Sequence, residues 1–168
     1  MSSVMRSGRR AARRSSRRGR GAARSRDRRP FRHVLVAVDL SQRNERALET
    51  ALALATEWRS RVTLCHVIQR VPGLAPGELE AFYRKLVARS ERRLRQAARP
   101  FTDRAIEART EVRVGEPAAE IVRATLREAV DLVVMGSHKV KPGRRARGWG
   151  TTSYKVGIFC QCSILLVK

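Results

Sequence analysis

Four residues, Gly150-Thr151-Thr152-Ser153, open a stretch of helical character and carry what a phosphate site needs. The first N–H groups of a helix have no carbonyl partner and lie at the positive end of its dipole, so they attract anions. Gly150 lets backbone approach a phosphate closely, and Thr151 and Ser153 add hydroxyl donors. The segment before them carries Lys139, Lys141, Arg144, Arg145 and Arg147, a cation density suited to a polyphosphate. The same residues would also serve as a plain capped helix behind a solvated basic loop, so spacing alone leaves both readings open. No GxxxxGK[ST] is present, which removes the common nucleoside-triphosphatase loop, and no GxGxxG follows the first apolar run, which argues against a dinucleotide fold.

Other reactive side chains are few. His33, His66 and His138 are scattered, with no acidic cluster beside them, so no metal site is expected. His66 lies inside an apolar run and reads as a satisfied core or edge histidine. His138 lies in the basic loop, within reach of a phosphate or ribose. Cys65, Cys160 and Cys162 are too sparse and odd in number for a disulfide scaffold and fit a reducing compartment. Cys160-x-Cys162 lacks the further ligands of a zinc site, and Cys162 reads as packing. Trp149 reads as a packed loop aromatic.

The elements that position these residues alternate. His33–Asp39 (HVLVAVD) is a run with little alternation, as in a strand buried on both faces of a parallel sheet. Ser41 is expected to cap a helix carrying Ala47, Leu48, Ala51, Leu52, Leu54 and Ala55 up to about Trp58. Arg61–Ile68 is a second strand and Val71–Gly77 a loop marked by Pro and Gly. A long helix runs from Glu78 to about Arg99 with Pro100 just past its end, and Ala105–Val114 follows as a strand. Gly115-Glu116-Pro117 opens a helix that turns Ile121, Val122 and Leu126 inward. Asp131–Met135 is the fourth strand, Gly136–Trp149 a polar loop, Gly150–Phe159 the fourth helix and Ser163–Val167 the last strand. Strand and helix in alternation predict a parallel sheet between helix layers, joined by right-handed crossovers. Ligands of such sheets sit beyond the carboxyl ends of the strands, where Asp39, Val67 and Gly136 fall.

Of the 168 residues, 37 are Lys or Arg and 15 Asp or Glu, a formal charge of +22. Residues 1–30 hold 12 Arg and one acid, Asp27, and almost nothing apolar. Such a segment cannot offset the entropy of ordering and is expected to be a disordered arm. Its composition leaves three readings open: a polyanion-binding arm, an organellar transit peptide, or no role at all. An apolar signal core and any run of 18 apolar residues are absent, so no membrane association is expected.

VLVAVDLSQRNERAL, VRVGEPAAEIV, DLVVMGSH and the closing GTTSYKV followed by ILLVK together resemble the universal stress protein family, over roughly Phe31 to Lys168. The resemblance implies a flavodoxin-like (Rossmann-like) three-layer sandwich of five parallel strands in order 3-2-1-4-5 with four helices, occupying residues 31–168. It implies ATP as ligand, with magnesium carried by the phosphates, bound through a Gly-x2-Gly-x9-Gly-(Ser/Thr) signature. Gly136 matches the first Gly, His138 the residue before the second, and Gly150-Thr151 the final pair, with Thr152 and Ser153 following. Val38, Asp39, Val67 and Met135 fall where members surround adenine and ribose.

Lys139 replaces the second Gly, and the loop is one residue longer than the signature. An L-residue takes positive φ at a cost of about 1 kcal/mol or more, although an ammonium there could reach a phosphate as a point charge. Asp39 has no second carboxylate to make it a general base and suits hydrogen bonding to the nucleoside. The expectation is a cytoplasmic stress-response module that binds rather than catalyses, with slow incidental ATP hydrolysis left open. A homodimer is expected through Ser163–Val167, whose edge would otherwise stay unpaired. Two alternatives stand beside it: a dimeric scaffold that has lost the nucleotide, with Lys139 as its mark, and a protein that binds nucleic acid or another polyanion through residues 1–30.

Overall fold

The computed structural model describes residues 29–41, 44–70, 76–137 and 151–168. The arm up to residue 28, the loop from 71 to 75 and the basic loop from 138 to 150 lie outside these residues. The elements run β1 (His33–Ala37), α1 (Glu45–Trp58), β2 (Arg61–Gln69), α2 (Pro76–Thr102), β3 (Ala108–Gly115), α3 (Pro117–Glu128), β4 (Leu132–Gly136), α4 (Thr152–Phe159) and β5 (Ser163–Val167). Five strands pair in parallel in the order β3-β2-β1-β4-β5. This is the flavodoxin-like topology expected.

β1 is central, and all five of its residues are buried. Its alternating side chains feed two cores. Val34 and Val36 join Val62, Leu64, Leu132 and Val134 under α1 and α2, where Ala47, Ala51, Ala55, Leu94 and Phe101 pack. Leu35 and Ala37 join Cys65, Val133 and Met135 under α3 and α4, against Ala118, Ile121, Ala124 and Val156. A strand covered on both faces has no polar side to present, which explains the unbroken apolar run.

Local structure differs from the sequence reading at several places. α2 starts at Pro76, two residues before Glu78, so Pro76 and Gly77 open the helix instead of closing the loop. Ser41 does not cap α1: its own N–H donates to Asp39 Oδ1 at 2.8 Å, and the helix starts after Asn44. Pro100 lies inside α2, in its last turn, where its carbonyl instead accepts from Arg104 Nη1 at 2.9 Å. β3 starts at Ala108, because Ala105 adopts φ 56° in the turn that closes α2. Leu126 is 58% exposed, since α3 points Ile121, Ala124 and Thr125 at the sheet instead.

Helices α1, α2 and α3 end by one device. Arg59, Ala105 and Ala129 take left-handed φ of 51°, 56° and 49°. The next residue donates back to the carbonyl five positions earlier: Ser60 to Ala55 at 3.1 Å, Ile106 to Phe101 at 3.0 Å and Val130 to Thr125 at 3.0 Å. That is the Schellman closure, in which glycine is the usual left-handed residue. Here the buried residue that follows (Ser60, Ile106, Val130) holds the turn without it.

At the amino end of β1, buried His33 donates through Nδ1 to the Glu128 carbonyl at 3.1 Å, and its Nε2 lies 2.9 Å from Thr63 Oγ1. Asp131 Oδ2 accepts from the N–H groups of Arg32 (2.8 Å) and His33 (2.9 Å), fixing β1 to the start of β4.

Two predictions follow from these contacts. Replacing Ala129 by Gly should raise unfolding free energy by about 0.5–1 kcal/mol, read by urea denaturation, because the left-handed penalty disappears. Burial holds the His33 pKa below its ordinary 6.5. The unfolded chain therefore takes up that proton first, and stability falls as pH drops below about 6.5. His33→Gln should flatten this part of the pH–stability curve; an unchanged slope would assign it to other groups.

Candidate functional site

The carboxyl ends of β1, β2 and β4 and the starts of α3 and α4 enclose a hollow of about 490 Å³. Val38 and Asp39 lie just past β1, Val67 on β2, Met135 and Gly136 at the end of β4, and Thr151, Thr152 and Ser153 at the start of α4. Eight of the eleven residues singled out from sequence thus share one cavity. His138, Lys139 and Gly150 lie outside the described residues.

The floor is apolar. Ala37, Val38 and Met135 are buried beneath it, and Val67, Pro117 and Ile121 form walls, a surface suited to a flat heterocycle. The rim is polar. Thr151 sits in extended backbone as the N-cap of α4, and its Oγ1 accepts from the Tyr154 N–H and lies 3.3 Å from Ser153 Oγ. The N–H groups of Thr152 and Ser153 fall in the first helical turn, where no carbonyl of the same helix can reach them. They leave donors and a positive dipole end at the mouth of the hollow.

Asp39 is exposed at the opposite lip. Its Oδ1 accepts from the Ser41 N–H and from Asn44 Nδ2, which fixes the carboxylate in place. Oδ2 has no hydrogen bond among the described residues and can accept from a ligand hydroxyl. His66 donates through Nδ1 to the Val38 carbonyl at 2.7 Å, tying β2 to the chain where it leaves β1. It is a satisfied histidine that also lines the cavity.

Sequence reasoning missed Asn44, Gln69, Pro117 and Ile121 among the lining residues. Asn44 had a signal in its place five residues after Asp39, at the start of α1. Pro117 and Ile121 were assigned to a helix whose start the crossover alone brings beside α4. Lys155 Nζ donates to Glu116 Oε1 at 3.1 Å, and Glu116 Oε2 caps Ala119 N–H at 2.7 Å, so one carboxylate links the starts of α3 and α4.

Two of the thiols are held protonated by their surroundings. Burial pushes Cys65, on the wall of the hollow, up to about 12. Burial and the neighbouring Cys160 push Cys162 up to about 12 as well, and both pack against the α3–α4 core.

Comparison with known proteins decides the family. The profile of the universal stress protein family matches residues 30–168. This chain belongs to the universal stress protein family. It is similar to universal stress protein YxiE of Bacillus subtilis (strain 168), 28% identical over 151 residues, covering 82% of this chain and 99% of that one. Among solved structures, universal stress protein UspA of Lactobacillus plantarum superposes with TM-score 0.69 at 22% identity, covering 81% of this chain and 97% of the other. A universal stress protein family protein of Arabidopsis thaliana with AMP bound superposes with TM-score 0.59 at 20% identity, covering 81% and 90%.

The Ala119 N–H bond and, less strongly, Lys155 hold the Glu116 carboxyl below the usual carboxylate range. Its contribution is present above about pH 4.3 and is lost as pH falls through the lowered value. Glu116→Ala should cost about 1 kcal/mol at neutral pH, as for a lost N-cap, with the deficit shrinking in acid; thermal melts at pH 7 and pH 3.5 measure both.

Proposed function

We propose that this protein binds an adenine nucleotide, ATP by preference, and acts in stress response through binding rather than turnover. The observation that carries this is the pairing, in one hollow, of an apolar floor with α4 amides on one lip and the Asp39 carboxylate on the other. Adenine fits the floor of Val38, Val67 and Met135; the ribose hydroxyls bond Asp39 Oδ2; the phosphates meet Thr151, Thr152, Ser153 and the backbone near Gly136 and Gly150. His138 and Lys139 add contacts to the phosphates from the loop, and magnesium arrives with the nucleotide. A relative of the same fold holds AMP, which supports the adenylate. Binding without chemistry is favoured by Asp39 having no second carboxylate beside it among the described lining residues and by burial keeping the Cys65 thiol protonated. The three free thiols suit a reducing cytoplasm.

The proposed organisation is a nucleotide module over residues 31–168 that carries an Arg-rich arm at residues 1–30. The module is proposed to pair with a second copy through β5. That strand ends the sheet, and Leu166 on it, with Ile158 and Phe159 on α4, exposes 42%, 57% and 66% of its surface. A two-fold mate would cover both the unpaired strand edge and these apolar side chains.

Ser153→Asp separates binding from folding. A carboxylate in the first turn favours the helix by about 0.3–1 kcal/mol, yet repels phosphates. Isothermal titration should show ATP binding in the native chain and none in the variant, whose melting temperature is equal or higher. No heat from the native chain at millimolar ATP would instead favour the scaffold reading marked by Lys139. Light scattering at micromolar protein should give a dimer that Leu166→Asp splits; a native monomer would refute the pairing.

A further inference from the structure

The nucleotide hollow leaves the excess positive charge of the folded part unexplained. Arg32, Arg59, Arg70 and Arg84 are exposed cations whose side chains meet no carboxylate or carbonyl among the described residues, and four more of this kind fall in one row. Arg95, Arg109, Arg113, Arg123, Arg127 and Lys155 each meet a carboxylate within 4 Å. Lys85, Arg89, Arg92 and Arg99 meet neither a carboxylate nor a carbonyl through their side chains among the described residues, and all four are exposed. All four lie on α2, at positions i, i+4, i+7 and i+14, with Gln96 filling i+11.

At 3.6 residues per turn these five positions form one line, about 21 Å long at 1.5 Å per residue. The line lies opposite the residues that α2 buries: Ser90, Leu94, Ala98 and Phe101. No acid falls within it. Glu91 sits to one side, paired with Arg95, and Asp103 follows after the helix ends.

Like charges at i,i+3 and i,i+4 destabilise a helix. Lys85/Arg89, Arg89/Arg92 and the flanking Arg89/Arg93 and Arg95/Arg99 all carry that cost. An anion laid along the stripe would relieve it.

We propose that the outer face of α2 is a binding surface for the phosphate backbone of double-stranded nucleic acid, read without regard to base sequence. A duplex carries one negative charge per about 1.7 Å of axis, so about 21 Å of it holds roughly a dozen phosphates around its circumference, of which those on the near side face the row of cations. Three of the four cations are arginines, whose planar fork bonds two phosphate oxygens at once. A membrane surface fits less well. A helix lying on lipid inserts a broad apolar face, whereas Leu94, Ala98 and Phe101 of α2 are spent on the protein core and, among the described residues, Phe82 alone of its large apolar side chains is exposed. The stripe shares no residue with the nucleotide hollow and is carried by the folded chain, separately from the arm.

The test uses the full chain and a fluorescein-labelled 20-base-pair DNA duplex, followed by fluorescence anisotropy across a salt series. The stripe variant is Lys85→Ala/Arg89→Ala/Arg92→Ala/Arg99→Ala. A charge-matched variant removes four arm cations instead, as Arg9→Ala/Arg10→Ala/Arg13→Ala/Arg14→Ala. The stripe variant should lower the slope of log affinity against log salt by about three to four. It should also weaken binding more than the arm variant does, while keeping the native circular dichroism spectrum and the native response to ATP. An unchanged slope, or equal losses in the two variants, would overturn the proposal, since net charge or the arm would then account for binding. Co-sedimentation with phosphatidylserine vesicles that falls in step, while duplex binding is retained, would assign the stripe to membranes and overturn it too. Because ATP titration is read on the same variant, failure here is distinct from failure of the nucleotide site.

Discussion

Burial of β1 on both faces governs this molecule. A central strand that feeds two cores requires neighbours on both edges and helices on both sides, and the chain meets this by reversing direction of growth at β1. β2 and β3 add to one edge, β4 and β5 to the other. At the carboxyl end of β1 the connections therefore part to opposite faces and leave a crevice between β1 and β4. The hollow is thus a consequence of how the core is filled, and the loops that line it only dress it.

The two ends of the sheet solve opposite electrostatic problems. At the carboxyl ends of the strands, α4 brings to the hollow the first-turn N–H groups of Thr152 and Ser153, which no carbonyl of the same helix can reach. At the other end the helices finish on carbonyls, and arginines meet them: Arg29 on Arg59 O at 2.8 Å, Arg104 on Pro100 O at 2.9 Å, Arg61 on Glu128 O at 3.3 Å. Cations at helix C-termini offset the negative dipole ends. These three arginines are accounted for by structure, whereas Lys85, Arg89, Arg92 and Arg99 on α2 have no such partner among the described residues.

The β3–α3 edge shows how completely charge can be absorbed. Arg113 is nine-tenths buried between Glu111 at 3.0 Å and Glu120 at 3.1 Å, and Glu111 also takes Arg127 at 2.6 Å. Burial alone would push the Glu111 carboxyl up, but the two guanidiniums prevail and hold it low. Burial likewise works against Arg113's charge, and its two carboxylate partners outweigh that and raise its pKa. The same residue types on one chain therefore serve an internal ion network and an open stripe, and only their neighbours separate the two.

What could be read from residue order was whatever obeys a period or a local rule. The apolar run of β1, the helical spacing of Ala47, Ala51 and Ala55, and the Pro at the start of α3 announced the elements, and their alternation announced a parallel sheet. Thr151 as an N-cap was likewise local. Helix ends were harder, because Arg59, Ala105 and Ala129 close them without the glycine that signals such a turn; the buried residue after each holds it, and burial is not written in a single chain. The meeting of Pro117 and Ile121 with Ser153, the grip of Asn44 on Asp39, and the double duty of His66 were decided by tertiary structure. Each depends on residues from separate elements reaching one place, and that distance is set by packing, to which neighbouring letters in a sequence are blind.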